Sequence, residues 1–69
     1  MRVTAHAQER MAERNIRALD VAHVLRYGKK YVNKHDSNKW TFIDTSLNVY
    51  VVTDKAMKTI VTVFQKERS

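Results

Sequence analysis

The chain is 69 residues long, with 43% apolar and 29% charged residues, one Gly, no Pro and no Cys. That length fits one domain spanning 1–69 and excludes a two-domain enzyme, while the apolar share and the scarcity of helix breakers exclude a disordered chain. Thirteen Lys and Arg against seven Asp and Glu leave a net charge of +6, and the lack of Cys removes thiol catalysis, iron–sulfur clusters and disulfides.

Thr4 is an acceptable N-cap, and the strong helix formers after it predict a helix over 5–14. At helical spacing Ala7 and Met11 form a narrow apolar stripe, with His6, Arg10 and Arg14 beside it at i, i+4 and i+8. A second helix is expected over 18–27. Its apolar face would carry Ala18, Leu19, Val21, Ala22 and Leu25, its wet face Asp20, His23 and Tyr27, and Gly28 would cap its C-terminus.

From Lys29 onward β-branched and aromatic residues alternate with Asn, Asp and Ser clusters, predicting strands near 30–34, 39–44, 47–53 and 59–65. Connections this short make an antiparallel meander. The expected fold class is α+β, ordered ααββββ, with two N-terminal helices packed on one face of a four-stranded antiparallel sheet. In the last strand simple alternation puts Thr59, Val61 and Val63 on one face and Ile60, Thr62 and Phe64 on the other. The uncovered sheet face should carry Trp40 and Tyr50. No apolar run approaches the ~20 residues of a membrane span, and the N-terminus lacks a signal-peptide stretch, so a cytoplasmic protein without a membrane partner is expected.

Of the six excess positive charges, five fall within residues 1–35. A basic half on a small domain suits nucleic acid, through phosphate neutralisation and counterion release, and equally suits a solvated surface tuned for solubility. Like charges at i, i+4 repel, so Arg10 and Arg14 beside His6 read either as a phosphate-handling stripe or as ordinary surface in which Arg10 pairs with Glu13. Asp20 and His23, three residues apart on the wet face, read either as a carboxylate orienting a catalytic histidine or, more plainly, as an exposed helix pair. The segment Tyr27-Gly28-Lys29-Lys30-Tyr31, followed by Lys34 and Trp40, mixes rings with cations as single-stranded RNA or DNA binders do. Its alternative is a small core element with lysines guarding an edge strand. A lone Gly excludes nucleotide-binding glycine loops, and the three His residues lack metal-ligand spacing, so no cofactor and no metal are expected.

The opening Thr4-Ala5-His6-Ala7-Gln8-Glu9-Arg10-Met11-Ala12-Glu13-Arg14-Asn15-Ile16, then Asp20-Val21, Val24-Leu25, Gly28 and the closing run from Thr59 to Phe64, resemble the bacterial and phage family called domain of unknown function 4258. That family is similar to the RelE-like, BrnT-like and barnase-like ribonuclease folds, so the resemblance implies metal-independent RNA cleavage of toxin type. It implies His6 as the proton-transfer group, Arg10 as the electrostatic stabiliser, Arg14 as a phosphate ligand and Thr62 as a positioning residue. Where relatives commonly carry Tyr, this chain has Phe64. Nucleic-acid contacts are expected from Arg14, Arg17, Lys29, Lys30, Tyr31, Lys34 and Trp40. The alternative is a non-catalytic module of phage or plasmid origin that binds nucleic acid or a protein. Expected partners are RNA or another single-stranded nucleic acid and a cognate antitoxin or host protein, with the chain a monomer or homodimer.

Overall fold

The computed structural model describes residues 1–66. Its elements in chain order are β1 (Arg2–Val3), α1 (Ala5–Glu13), α2 (Ala18–Tyr27), β2 (Lys29–Val32), β3 (Lys39–Asp44), β4 (Val49–Asp54) and β5 (Thr59–Gln65). The strands form one mixed sheet in the order β1-β5-β4-β3-β2.

This corrects the expected four-stranded antiparallel sheet. The last four strands do form the antiparallel meander, but Arg2 and Val3 add a fifth strand, parallel to β5 and in register with Thr59 and Ile60. Arg2 N–H donates to the Lys58 carbonyl at 2.8 Å and Thr4 N–H to that of Ile60 at 3.1 Å. Two residues are too few to show alternation, and a parallel partner lies far off in the chain, so no local signal announces this strand.

Thr4 ends β1 and starts α1. Its hydroxyl accepts from Ala7 N–H at 3.1 Å and donates to the Val61 carbonyl at 2.8 Å, so one side chain caps the helix and ties it to β5. Asn15 takes a left-handed φ of 56°, after which Ile16 N–H reaches the Met11 carbonyl and Asn15 N–H that of Ala12. This double bond pattern stops the helix and brings Ile16 into the core. At the start of α2, Asp20 accepts from Arg17 N–H at 2.9 Å. Asp20 is therefore a capping residue, not the partner of His23.

The core is built from Ala7, Ile16, Val21, Val24, Phe42, Val49, Val51, Ile60 and Val63. Val21 and Val24 turn α2 inward, whereas Leu19, placed on the apolar face by the sequence reading, is 75% exposed. Gly28 follows α2 at an ordinary φ of −70°. Its need is room: a Cβ there would stand 2.5 Å from the Val24 carbonyl oxygen and 2.9 Å from that of Ile43, both backbone atoms.

Simple alternation also fails in β5. Val51 faces Val63 and Val52 faces Thr62, yet Thr53 faces Ile60, so Val61 is an extra residue in the ladder. The bulge puts Ile60 on the same face as Val63, and both are buried. Strands β2 and β4 are also shifted from expectation, because Asn33 already belongs to the turn after β2 and Asn48, at a φ of 59°, to the turn before β4.

Candidate nucleic-acid interface

The strand register sorts the side chains into rows. On the face that α1 and α2 cover, Lys30, Phe42, Val51 and Val63 lie abreast, and so do Val32, Trp40, Thr53 and Ile60. On the opposite face the rows are Lys29, Ile43, Tyr50 and Phe64, then Tyr31, Thr41, Val52 and Thr62. No helix packs on this second face among the described residues.

That open face is aromatic and rimmed by cations. Tyr50 and Phe64 stack with ring centroids 4.8 Å apart and planes 22° apart, and Lys66 Nζ stands 5.5 Å from the Tyr50 centroid. Phe64 keeps 37% of its surface exposed and Tyr31 48%. A shallow groove of about 440 Å³ crosses the face from Lys34 and His35, past Thr41 and Tyr50, to Phe64 and Lys66. At the Lys34 end, Asn33 holds the turn by accepting from His35 and Asp36 N–H while its amide donates to the Thr41 hydroxyl at 2.9 Å. Acidic groups there are already matched: Asp36 pairs with Lys39, which holds its carboxyl below the usual range, and Asp54 accepts from the Lys58 and Thr59 N–H groups at 2.8 and 3.1 Å.

Trp40 was expected on this face beside Tyr50. It lies on the other one, packed against the core, with its indole N–H donating to the Lys55 carbonyl at 3.3 Å and the ammonium groups of Lys30 and Lys55 at 4.2 and 3.7 Å from the ring centroid. Lys30 and Trp40 are thus separated from Lys29 and Tyr31 by the sheet, because adjacent strand residues point to opposite faces.

The stripe of α1 is on the covered side of the sheet, with His6, Arg10 and Arg14 all exposed. Arg10 donates to Glu13 at 2.8 Å, the surface pairing weighed as the plainer reading of this stripe. Thr62 is in the central row of the open face, so the structure does not bring it together with His6 and Arg10. Arg17 is exposed before α2, with its Nε 3.6 Å from Asp20.

A pair that local spacing does not suggest sits where α2 runs into β2. His23 Nε2 is 2.9 Å from Asp44 Oδ2, although the two residues come from α2 and the end of β3. His23 was expected on the wet face with Tyr27 and beside Asp20; it is exposed and its ring centroid lies 5.0 Å from that of Tyr27, but its carboxylate partner is Asp44 and not Asp20. Asp44 is only 7% exposed. Its other oxygen accepts from the Ser46 hydroxyl at 2.6 Å, Ser46 N–H at 2.9 Å and Leu47 N–H at 3.2 Å. The Ser46 hydroxyl above all, then the Leu47 and Ser46 N–H groups and His23, hold the carboxyl below its usual pKa against the opposing effect of burial. An Asp with a Ser two positions on, Asp44-Thr45-Ser46, is the sequence signal for the turn, but nothing local signals the histidine. Among the described residues, no group of three His, Asp or Glu side chains is arranged to hold a metal ion, and no helix is long and apolar enough to cross a membrane.

The family described as Domain of unknown function (DUF4258) matches residues 3–65, nearly the whole chain, and the chain belongs to it. No curated protein and no solved structure matches the chain.

Proposed function

With membership of that family as the premise, we propose that the protein binds RNA or another single-stranded nucleic acid across the open face of its sheet. The observation that carries this reading is the Tyr50–Phe64 stack beside Tyr31, rimmed by Lys29, Lys34 and Lys66. Every base has a π-face, so exposed rings hold unpaired nucleotides with little sequence preference, at about 1–3 kcal/mol per stacked base. Lysines around such a platform neutralise phosphates and release counterions. Duplex RNA hides the faces of its bases and would be bound more weakly. Arg14, Arg17, Lys30 and Trp40 lie off this platform; the three cations would add only to the long-range positive field, and the uncharged Trp40 nothing.

The resemblance to RelE-like, BrnT-like and barnase-like ribonucleases extends the reading to metal-independent cleavage of toxin type, in the cytoplasm, with a cognate antitoxin as the protein partner. In that form His6 moves the proton and Arg10, one turn away, steadies the phosphate, while Thr62 serves the binding face and not the helix stripe. The Arg10–Glu13 pair favours the other form of the reading, a module that binds without cutting, because a stabilising arginine already matched by a carboxylate has less to give a phosphate.

Fluorescence anisotropy with a labelled single-stranded oligouridylate tests the binding. Affinity should fall steeply as salt rises, and Phe64→Ala should weaken it while Arg10→Ala leaves it nearly unchanged. Binding that is flat in salt, or weakened equally by the two variants, would count against the open face. Incubation of bulk RNA with wild type and His6→Ala in chelator tests the cleavage assigned to the helix stripe.

A further inference from the structure

At its Lys29 end the open face meets a second cavity, of about 390 Å³, whose walls include His23, Tyr27, Lys29, Tyr31 and Asp44. Ile43 lines both this cavity and the groove over the sheet, so the two adjoin. Nothing in the binding reading uses the His23–Asp44 pair. The pair is nonetheless organised as proton-transfer groups are: an ionised, buried carboxylate fixed by three hydrogen bonds on one oxygen, aimed through the other at a ring that is half open to solvent.

The chemistry of the contact fixes the tautomer. A carboxylate only accepts, so His23 Nε2 carries the hydrogen at the 2.9 Å contact and the neutral ring keeps its lone pair on Nδ1. Asp44 also stabilises the imidazolium once Nδ1 takes a proton. Lys29, the first residue of the row that contains Tyr50 and Phe64, brings a cation into the same cavity.

We propose that His23 is the catalytic base of an RNA-cleaving centre in the cavity where the end of the open face turns over to the helix-covered side, with Asp44 as its positioning residue. The inference rests on the single-stranded RNA reading above. Nδ1 takes the proton of a ribose 2′-hydroxyl; the 2′-oxygen forms a bond to phosphorus as the bond from phosphorus to the 5′-oxygen breaks. The Lys29 ammonium offsets the charge that builds on the phosphate oxygens. The departing 5′-oxygen takes a proton from water, and the imidazolium returns its own to the hydroxide so formed. The products are a 2′,3′-cyclic phosphate and a 5′-hydroxyl, with no metal and no co-reactant consumed.

The test is single-turnover cleavage of a 5′-labelled oligouridylate in chelator, with product ends identified, alongside anisotropy on the same oligonucleotide and circular dichroism of each variant. Wild type should give cyclic-phosphate ends and should leave the matching DNA, which lacks the 2′-hydroxyl, intact. His23→Ala and His23→Gln should slow cleavage by roughly 10²–10⁴-fold, with binding within a few-fold. Asp44→Asn separates positioning from mere support: its carbonyl can still accept from Ser46 and Leu47, but its amide donates toward Nε2, drives the hydrogen to Nδ1 and removes the base. Its rate should fall with its fold retained. Should Asp44→Asn not fold, the His23 variants decide. Wild type that binds RNA without cutting it overturns this proposal and leaves the binding reading standing. So does cleavage that survives in His23→Gln, cleavage lost only in His6→Ala, or cleavage of the DNA. Failure to bind RNA at all removes the binding reading and this proposal with it.

Discussion

Two neighbouring rows of one sheet meet very different surroundings. In one, Phe42, Val51 and Val63 lie beneath the helices and are all buried; in the next, Ile43, Tyr50 and Phe64 lie abreast on the far face, and Phe64 remains more than a third exposed. Both rows are apolar, so composition alone does not separate them. What separates them is the helices, which are long enough to cover one face only. A small domain gains stability from the covered row, and exposed rings on the other face add little to it. An uncovered aromatic row bordered by lysines is the feature on which the proposed nucleic-acid binding rests.

This contrast is broken most directly from the covered side. Val51→Ala removes two methyl groups from a fully buried site and should lower stability by about 2–3 kcal/mol, seen as a shifted denaturant midpoint, while the folded fraction binds RNA as wild type does. If binding fell with stability held by lower temperature, the two faces would not be independent. Phe64→Ala should do the reverse, weakening RNA binding by about 1–3 kcal/mol in titrations, with a smaller loss of stability. Phe64→Tyr keeps the ring and should stay within a few-fold of wild type in binding.

Acid titration sharpens the contrast at the border between the faces. Asp44 is held below the pKa it would have in the unfolded chain, so its contribution to stability is fully present above the ordinary carboxylate range and is lost as the pH falls through its lowered folded value. Thermal melts across that range should show a shallower acid slope for Asp44→Asn than for wild type; equal slopes would mean that the His23 and Ser46 contacts do not persist in solution. Smaller still, Lys66→Ala should reduce the slope of log affinity against log salt by about 0.7, the share of one phosphate on a single strand. The least effect should come from Arg10→Ala, since an exposed i, i+3 pair is worth about 0–1 kcal/mol and the stripe lies across the sheet from the binding rows.

Local signals made part of this legible. The helix over 18–27 and the strand over 59–65 follow from composition and punctuation within their own spans, and the structure has them at those bounds. The basic and aromatic mixture after Tyr27 also pointed to the strand that carries Lys29 and Tyr31, although it could not say that Lys30 and Trp40 would fall behind the sheet. Three features had no local trace. Arg2 and Val3 become a strand only because β5 offers a free edge. Trp40 was misplaced because the face of a strand depends on what packs against it. The His23–Asp44 contact joins residues whose separation in the chain obeys no helical or strand period, and it exists only once α2 has docked on β3 and β4.

The extra residue in β5 has a consequence for insertions and deletions. Removing one residue from a regular strand swaps every later side chain to the opposite face. The bulge at Val61 is the exception, because Thr53 already faces Ile60 and Val52 already faces Thr62 on either side of it. A chain lacking only Val61 would keep Ile60 and Val63 inward and Thr62 and Phe64 outward, with the Thr4 hydroxyl losing its carbonyl acceptor as the main penalty. A chain lacking Thr62 would close the ladder in the same way, with Val61 opposite Val52, whereas one lacking Val63 would close it only by placing the Thr62 hydroxyl opposite Val51 in the core. Length variation in this strand should therefore be tolerated at the bulge, positions 61 and 62, where the ladder already has a residue to spare.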